Sequence, residues 1–181
     1  MKVQLKILLL ANYLNIFSFA FFSPLYALFI QKFDSNPLTI SITWGFLMII
    51  QGLLTILFGY MINDYRRKDR VIVLGYVCMA IGAFLLSAVK SLPSLYIALA
   101  FNACSGALVS PAFKAYFSTH ELKGDEAREW SIFDGGNLLL AGIGGIIGGS
   151  IMIRFGFSGL FYTIGGMQLI AALVSTKILK D

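Results

Sequence analysis

Six stretches of this chain carry no charged residue at all: Ile7 to Gln31, Ser35 to Asn63, Val71 to Val89, Ser91 to Phe113, Gly135 to Ile153 and Phe155 to Thr176. A helix rising 1.5 Å per residue needs roughly 20 mostly apolar residues to cross about 30 Å of hydrocarbon. Every stretch meets that length, and little of the 181 residues is left between them. One such run could be a buried core helix of a soluble domain, but those are shorter, about 10 to 14 residues. Six in succession exclude that reading, as does a composition 58% apolar and only 13% charged. The start "MKVQLK" resembles the basic end of a secretory signal, yet the run behind it is too long and no small-residue cleavage site closes it. The expectation is an all-α integral membrane protein with one domain, 1–181, and six transmembrane helices in one bundle. The spans are placed at 7–32, 38–63, 71–89, 94–119, 129–153 and 157–177.

Charge sets the orientation. Basic residues collect on the cytoplasmic side of a membrane. With the N-terminus inside, that side holds eleven of them, at positions 2, 6, 66, 67, 68, 70, 114, 123, 128, 177 and 180. The other side holds three: Lys32, Lys90 and Arg154. Both termini should therefore be cytoplasmic, in a plasma or inner membrane, and the net charge of +5 is an orientation signal. No basic helix, stacking platform or zinc-finger spacing points to a nucleic-acid partner. Turn clusters at "DSNP" (34–37), "SLPS" (91–94) and "RFGFSG" (154–159) punctuate the runs. Pro111 is read as the one proline inside a span, where the fourth helix would bend.

Three segments carry a family resemblance. "GYMINDYRRKDR" (59–70) has Gly59, Arg67 and Lys68 where the loop between helices two and three of major facilitator transporters has its glycine and paired basic residues. Asn63 stands at that motif's aspartate, with Asp64 next to it, and Arg66 replaces its second glycine. "GIGGIIGG" (142–149) is similar to the glycine-rich fifth helix of the family, with Gly145 in place of the usual proline, and Arg128 resembles the arginine that opens it. The chain therefore resembles one six-helix half of that fold, which implies a 3+3 inverted repeat. The resemblance also implies a gating loop of Gly59, Asn63, Asp64, Arg67 and Lys68, in which Asp64 and Arg67 form a latch. A plain positive-inside stop signal is the competing reading of the same residues.

The glycines also contain a variant dinucleotide-fingerprint spacing, but a fingerprint needs a preceding strand and a soluble βαβ unit. Gly142, Gly144, Gly145, Gly148 and Gly149 instead read as helix packing, because small residues four apart let another helix approach closely. Polar residues inside spans are costly in hydrocarbon and usually face a bundle interior or a cavity. At 100° per residue, Asn12, Asn15, Phe19, Ser23 and Tyr26 fall within about 80° of each other. Asn102, Ser105 and Tyr116 share a comparable face of the fourth helix. The family places its first and fourth helices around the transport pathway, so these polar residues are the candidate pathway, with helix-to-helix bonding as the alternative. Asn102 stands where the family often has an arginine. Lys114 and Asp134, at equal depth on neighbouring helices, are expected to form an intramembrane ion pair.

Nothing suggests an enzyme, a cofactor or a metal. Cys78 and Cys104 lie in apolar spans, and His120 has no second histidine, cysteine or serine at a useful spacing. No G-x-x-x-x-G-K-[ST] loop for ATP occurs. The resemblance implies secondary transport of a small solute by alternating access, with a homodimer or a second six-helix half covering the open side. A non-transporting accessory subunit, or the separated N-terminal half of a longer carrier, is the alternative.

Overall fold

The structure is a computed structural model and describes residues 2–122 and 124–180, so Lys123 of the orientation argument lies outside it. Among the described residues all regular structure is helical. Helix α1 (Val3–Ala20) is followed by a 3-10 turn (Ser23–Leu25) and α2 (Tyr26–Ile30), then α3 (Pro37–Asn63), α4 (Lys68–Ser87), α5 (Leu92–His120) and α6 (Glu126–Ser175). A last 3-10 segment covers Thr176–Lys180. Five helical stretches are long and apolar enough to cross a membrane.

Prolines act differently at two places. The first span was expected to be one helix, but Pro24 has no N–H to continue the ladder, and the chain passes through the 3-10 turn before α2 resumes. The sequence reading has Pro111 as the one internal proline. Pro24 is a second, and α5 runs through Pro111 without a break. Helix starts follow ordinary capping rules. Asn36 accepts the Leu38 N–H at 3.0 Å with Pro37 behind it, and Ser91 with Ser94 closes a capping box on α5. Before α3, Asp34 accepts from the Thr39 hydroxyl at 2.6 Å and the Asn36 N–H at 2.9 Å. Those bonds hold its carboxyl below its ordinary value of 3.8. Their stabilising effect is present at neutral pH and is lost as the pH falls through that lowered pKa.

Two apolar clusters divide the bundle by depth. The first joins Leu5, Leu8, Ile62, Ile72, Phe117 and Ile178, with Trp130 and Phe133 packed against it. The second joins Phe22, Phe29, Leu47, Leu99 and Phe161, with Ile151 and Phe157 against it. Residues near both ends of α6 enter the first cluster, while its middle enters the second, so α6 doubles back on itself. The reversal is at Gly156, whose φ of 67° and ψ of −174° belong to a region essentially reserved for glycine. The N-terminal segment, the loop after α3, the turn after α5 and the end of the chain thus meet at one end of the bundle. Nearly all the basic residues of the charge argument flank these segments.

Glycines bring the first and last long helices together. A Cβ on Gly144 would lie 2.6 Å from the Phe17 carbonyl oxygen, and one on Gly148 would overlap the Phe21 backbone. Gly145 stands 3.5 Å from Pro24 by the same measure. Gly142 and Gly149 were expected to pack as well, but a Cβ on either would meet nothing within 4 Å. At 100° per residue they lie about 60° and 40° round the helix from Gly145, beyond the edge of the stripe centred on Gly144 and Gly148. Helix α3 and the first half of α6 are the least buried, with Leu53 64%, Tyr60 79%, Leu138 75% and Ile146 77% exposed.

Candidate functional site

Against the second cluster lies a cavity of about 250 Å³, walled by α1 and α2 on one side and α3 and α5 on the other. Helix α4 and the second half of α6 close its back through Met79, Ala83, Ile164 and Gln168. Asn15, Phe19, Ser23 and Tyr26 all line it, so four of the five residues on the predicted stripe of the first helix share one wall. Asn102 lines the opposite wall. No lining side chain is charged.

Three of the expected pathway residues are elsewhere. Asn12 is buried and donates to the Asn137 side chain at 2.7 Å, joining α1 to α6. Ser105 is buried and returns its hydroxyl to the Phe101 carbonyl at 2.9 Å. Tyr116 is in the first cluster and stacks on His120, with ring centroids 4.1 Å apart. For Tyr116 the physical reason is depth, since 14 residues of helix separate it from Asn102 by about 21 Å; Asn12 and Ser105 lie within a turn of lining residues and are bonded instead to the neighbouring helix and to their own backbone.

Sequence reasoning missed Trp44, Gln51 and Gln168, all of which line the cavity. The signal was present, since both glutamines stand within charge-free runs. Neither lies on the first or fourth span, the two that the family resemblance assigns to the pathway. Gln168 matters most. Its amide nitrogen donates to the Asn15 side-chain oxygen at 2.8 Å and to the Ser18 hydroxyl at 2.9 Å, which fixes the back of the cavity to its wall. Asn102 donates to the Ala98 carbonyl at 2.8 Å and the Gly82 carbonyl at 3.1 Å, so close helix contact at Gly82 sets its position.

The expected latch has a different partner. Arg67 meets Asp69, at 2.8 Å from Nη2 and 3.2 Å from Nε, and its Nη2 also reaches the Leu179 carbonyl at 3.4 Å. Asp64 accepts from the Asn63 amide at 3.0 Å instead, and Lys68 donates to the Asn63 carbonyl at 3.3 Å. Asp69 wins because it stands in the first turn of α4, where a carboxylate is favoured by the helix dipole. Gly59 sits close to Pro111, on the α3 face against α5. We expect Asp69→Asn to lower stability by about 1 to 2 kcal/mol, because half of the pair is exposed to solvent. Asp64→Asn should be close to neutral. Thermal melts in detergent decide, and a larger loss at Asp64 would restore the original latch.

Lys114 and Asp134 do not form an ion pair. Both are exposed, and the residues beside them make the contact: Phe113 meets Phe133 with centroids 5.3 Å apart, and Phe117 meets Trp130 at 4.5 Å. One residue along a helix is a turn of 100°, so aromatic packing of the neighbours rotates both charges out of the interface.

A bundle with an uncharged, mostly apolar cavity carrying a few amides between its first and fourth spans is the arrangement that the family resemblance implies. Residues 8–181 match the family model of the Major Facilitator Superfamily. The chain belongs to that superfamily. One relative, an uncharacterized MFS-type transporter from Methanocaldococcus jannaschii, is 25% identical over 161 residues, covering 89% of this chain and 42% of that protein. The in meso crystal structure of the POT family transporter PepTSo superposes with a TM-score of 0.82 at 14% identity, over 99% of this chain and 38% of that one. This major facilitator chain thus spans about two fifths of each. It is a multi-pass membrane protein of a transporter family, not of a family of enzymes.

Proposed function

We propose that this chain forms one six-crossing half of a secondary transporter, in which a small solute occupies the cavity between α1 and α5. The observation that carries the reading is that cavity itself. Its amides come from four helices and stand in an otherwise apolar wall, where polar groups are costly and by default mark a functional site. On this reading α6 counts as two crossings, reversed at Gly156, residues 1–181 are a single membrane domain, and the 3+3 repeat of the family applies. Both termini face the cytoplasm, in a plasma or inner membrane.

Alternating access would proceed by rocking this bundle against a second six-helix bundle around the shared site. The sparsely buried faces of α3 and the first half of α6 suit contact with that bundle or with lipid. The second bundle is a second copy of this chain, related by an axis along the membrane normal, or a partner half. A homodimer keeps both N-termini on one side, as the charge bias requires. Single cysteines at Asn15 or Asn102, in a background lacking Cys78 and Cys104, should then crosslink two chains in native membranes. Monomers only would favour a partner half.

Transport itself is tested in liposomes containing only this chain, loaded in turn with sugars, amino acids and nucleosides. At least one solute should move faster than through empty liposomes, and Asn15→Leu with Asn102→Leu should cut that flux at least tenfold. A crosslinked dimer that moves none of them would favour the accessory-subunit reading.

A further inference from the structure

Among the described residues, Gln51 is the one amide of the cavity wall that bonds nothing in the protein. Asn15 accepts from Gln168, and Asn102 gives its nitrogen to two main-chain carbonyls. At Gln51 the bond outside the helix ladder goes to its main-chain carbonyl, from the Thr55 hydroxyl at 2.7 Å, and the side-chain amide has no partner. Gln51 stands near the middle of α3, inside a charge-free run, where an amide without a partner is costly. Lipid offers it nothing to bond.

The amide is also within reach. Gln51 is half-buried, and since the main chain inside a helix is enclosed, its exposed part is the side chain. A Cβ on Gly106 would lie 3.0 Å from Gln51 Nε2 and 3.4 Å from its Cδ, with the Met79 methyl 3.8 Å away. Gly106 and Met79 line the cavity as Gln51 does, so the amide end of the side chain, not its stem, stands at the wall. The missing side chain at Gly106 leaves that end uncovered. Asn102 is about 6 Å along α5 from Gly106 and about 40° round it, which makes the two amides neighbours on the wall.

A free carboxamide presents a donor and an acceptor side by side. The edge of a solute that satisfies both at once is another donor beside another acceptor, such as the N–H and C=O of a lactam or of a primary carboxamide. Which way round the Gln51 amide lies makes no difference, because such an edge turned over is still one donor and one acceptor. A carboxylate brings acceptors alone, and an ammonium donors alone. Each leaves one group of Gln51 unmet and carries its charge to a wall with no charged side chain.

We infer that Gln51 is the solute-recognising amide of this half, and that the solute it recognises carries a neutral carboxamide or lactam edge. The inference rests on the reading of the cavity as a solute site, and it adds the residue that selects and the chemical group selected.

Trp44 supplies the reporter, since it lines the same cavity two turns from Gln51 on α3. The chain's other tryptophan, Trp130, packs against the first cluster, so a Trp130→Phe background isolates the cavity signal. The probes are 2-piperidinone, cyclohexanone and piperidinium, titrated against the purified chain in detergent at pH 7. They share a six-membered ring and offer a donor with an acceptor, an acceptor alone and donors alone. 2-Piperidinone should change Trp44 emission saturably and bind about fivefold tighter than the others or better, the return on one further hydrogen bond. Gln51→Met keeps the length and removes both groups, so it should bring 2-piperidinone down to the level of cyclohexanone. The same variant should melt no lower than the parent, because it breaks no bond within the protein, whereas an amide that ties helix to helix would lower the melt. The inference is overturned if cyclohexanone or piperidinium matches the lactam in the parent, or if no probe gives a saturable response. It is equally overturned if Gln51→Met keeps the preference or lowers the melting temperature. A lactam preference in a chain unable to move any solute would remove the carrier reading and leave this one standing. Flux without the preference would do the reverse.

Discussion

Gly148→Leu should cost about 3 kcal/mol or more and release the first helix from the last. A Cβ at this position overlaps the backbone of Phe21, and backbone cannot turn aside as a side chain can. The two helices must then separate along their whole contact, which includes Gly144 against Phe17 and the Asn12 to Asn137 bond. Overpacking a tight interface typically costs 1 to 3 kcal/mol, and a clash with main chain belongs at or beyond the upper end. Gly149→Leu and Gly142→Leu are matched controls with the opposite expected sign. Neither meets a neighbour, and leaving glycine in a helix interior gains up to about 1 kcal/mol. Melting temperatures in detergent separate the cases. If Gly148→Leu and Gly149→Leu shift the melt equally, the close approach of α1 and α6 is wrong.

Substituting Gly156 should cost about 1 to 3 kcal/mol for a reason unrelated to space. A Cβ there would meet nothing within 4 Å, so there is room. The cost is conformational, because φ of 67° with ψ of −174° is open to glycine and almost closed to other residues. The choice of substitution makes the argument testable. Asparagine tolerates the left-handed helical region, where ψ is near +47°, but has no advantage here. Gly156→Asn should therefore be as damaging as Gly156→Ala. A wild-type melt for the asparagine variant would show that the reversal uses an ordinary left-handed turn.

Helix positions were legible in the sequence because lipid imposes a length and forbids charge, and both leave a plain trace. The turn at 154–159 was legible from its glycines, although its compression to a single reversing residue was not. Half of the glycine stripe was legible too. Spacing of four defines which residues can share a face, but Gly144, Gly145 and Gly148 pack while Gly142 and Gly149 do not, and only the neighbour's position separates them. On the first helix, angle sufficed to find the cavity wall, since Asn15, Phe19, Ser23 and Tyr26 all line it. On the fourth it did not, because Ser105 and Tyr116 share the face of Asn102 without sharing its surroundings. Ion pairs were the least legible feature. Asp69 prevailed over Asp64 through its place in the first turn of α4, and Phe113 with Phe133 over Lys114 with Asp134 through one residue of helical rotation, neither of which spacing along the chain supplies.

The bonds joining Asn12 to Asn137 and Asn15 to Gln168 span 125 and 153 residues of chain. Ribosomes add about 5 to 20 residues each second, so the first helix emerges roughly 6 to 30 s before the side chains that satisfy its amides exist. For that interval, long compared with helix formation itself, Asn12 and Asn15 have no native partner. The newborn helix must wait against the insertion machinery or a chaperone, or turn its amides toward water at the channel. The same two asparagines that shape the finished protein therefore make its first helix the slowest to reach its final surroundings. Premature termination anywhere before residue 137 leaves that helix permanently unpaired.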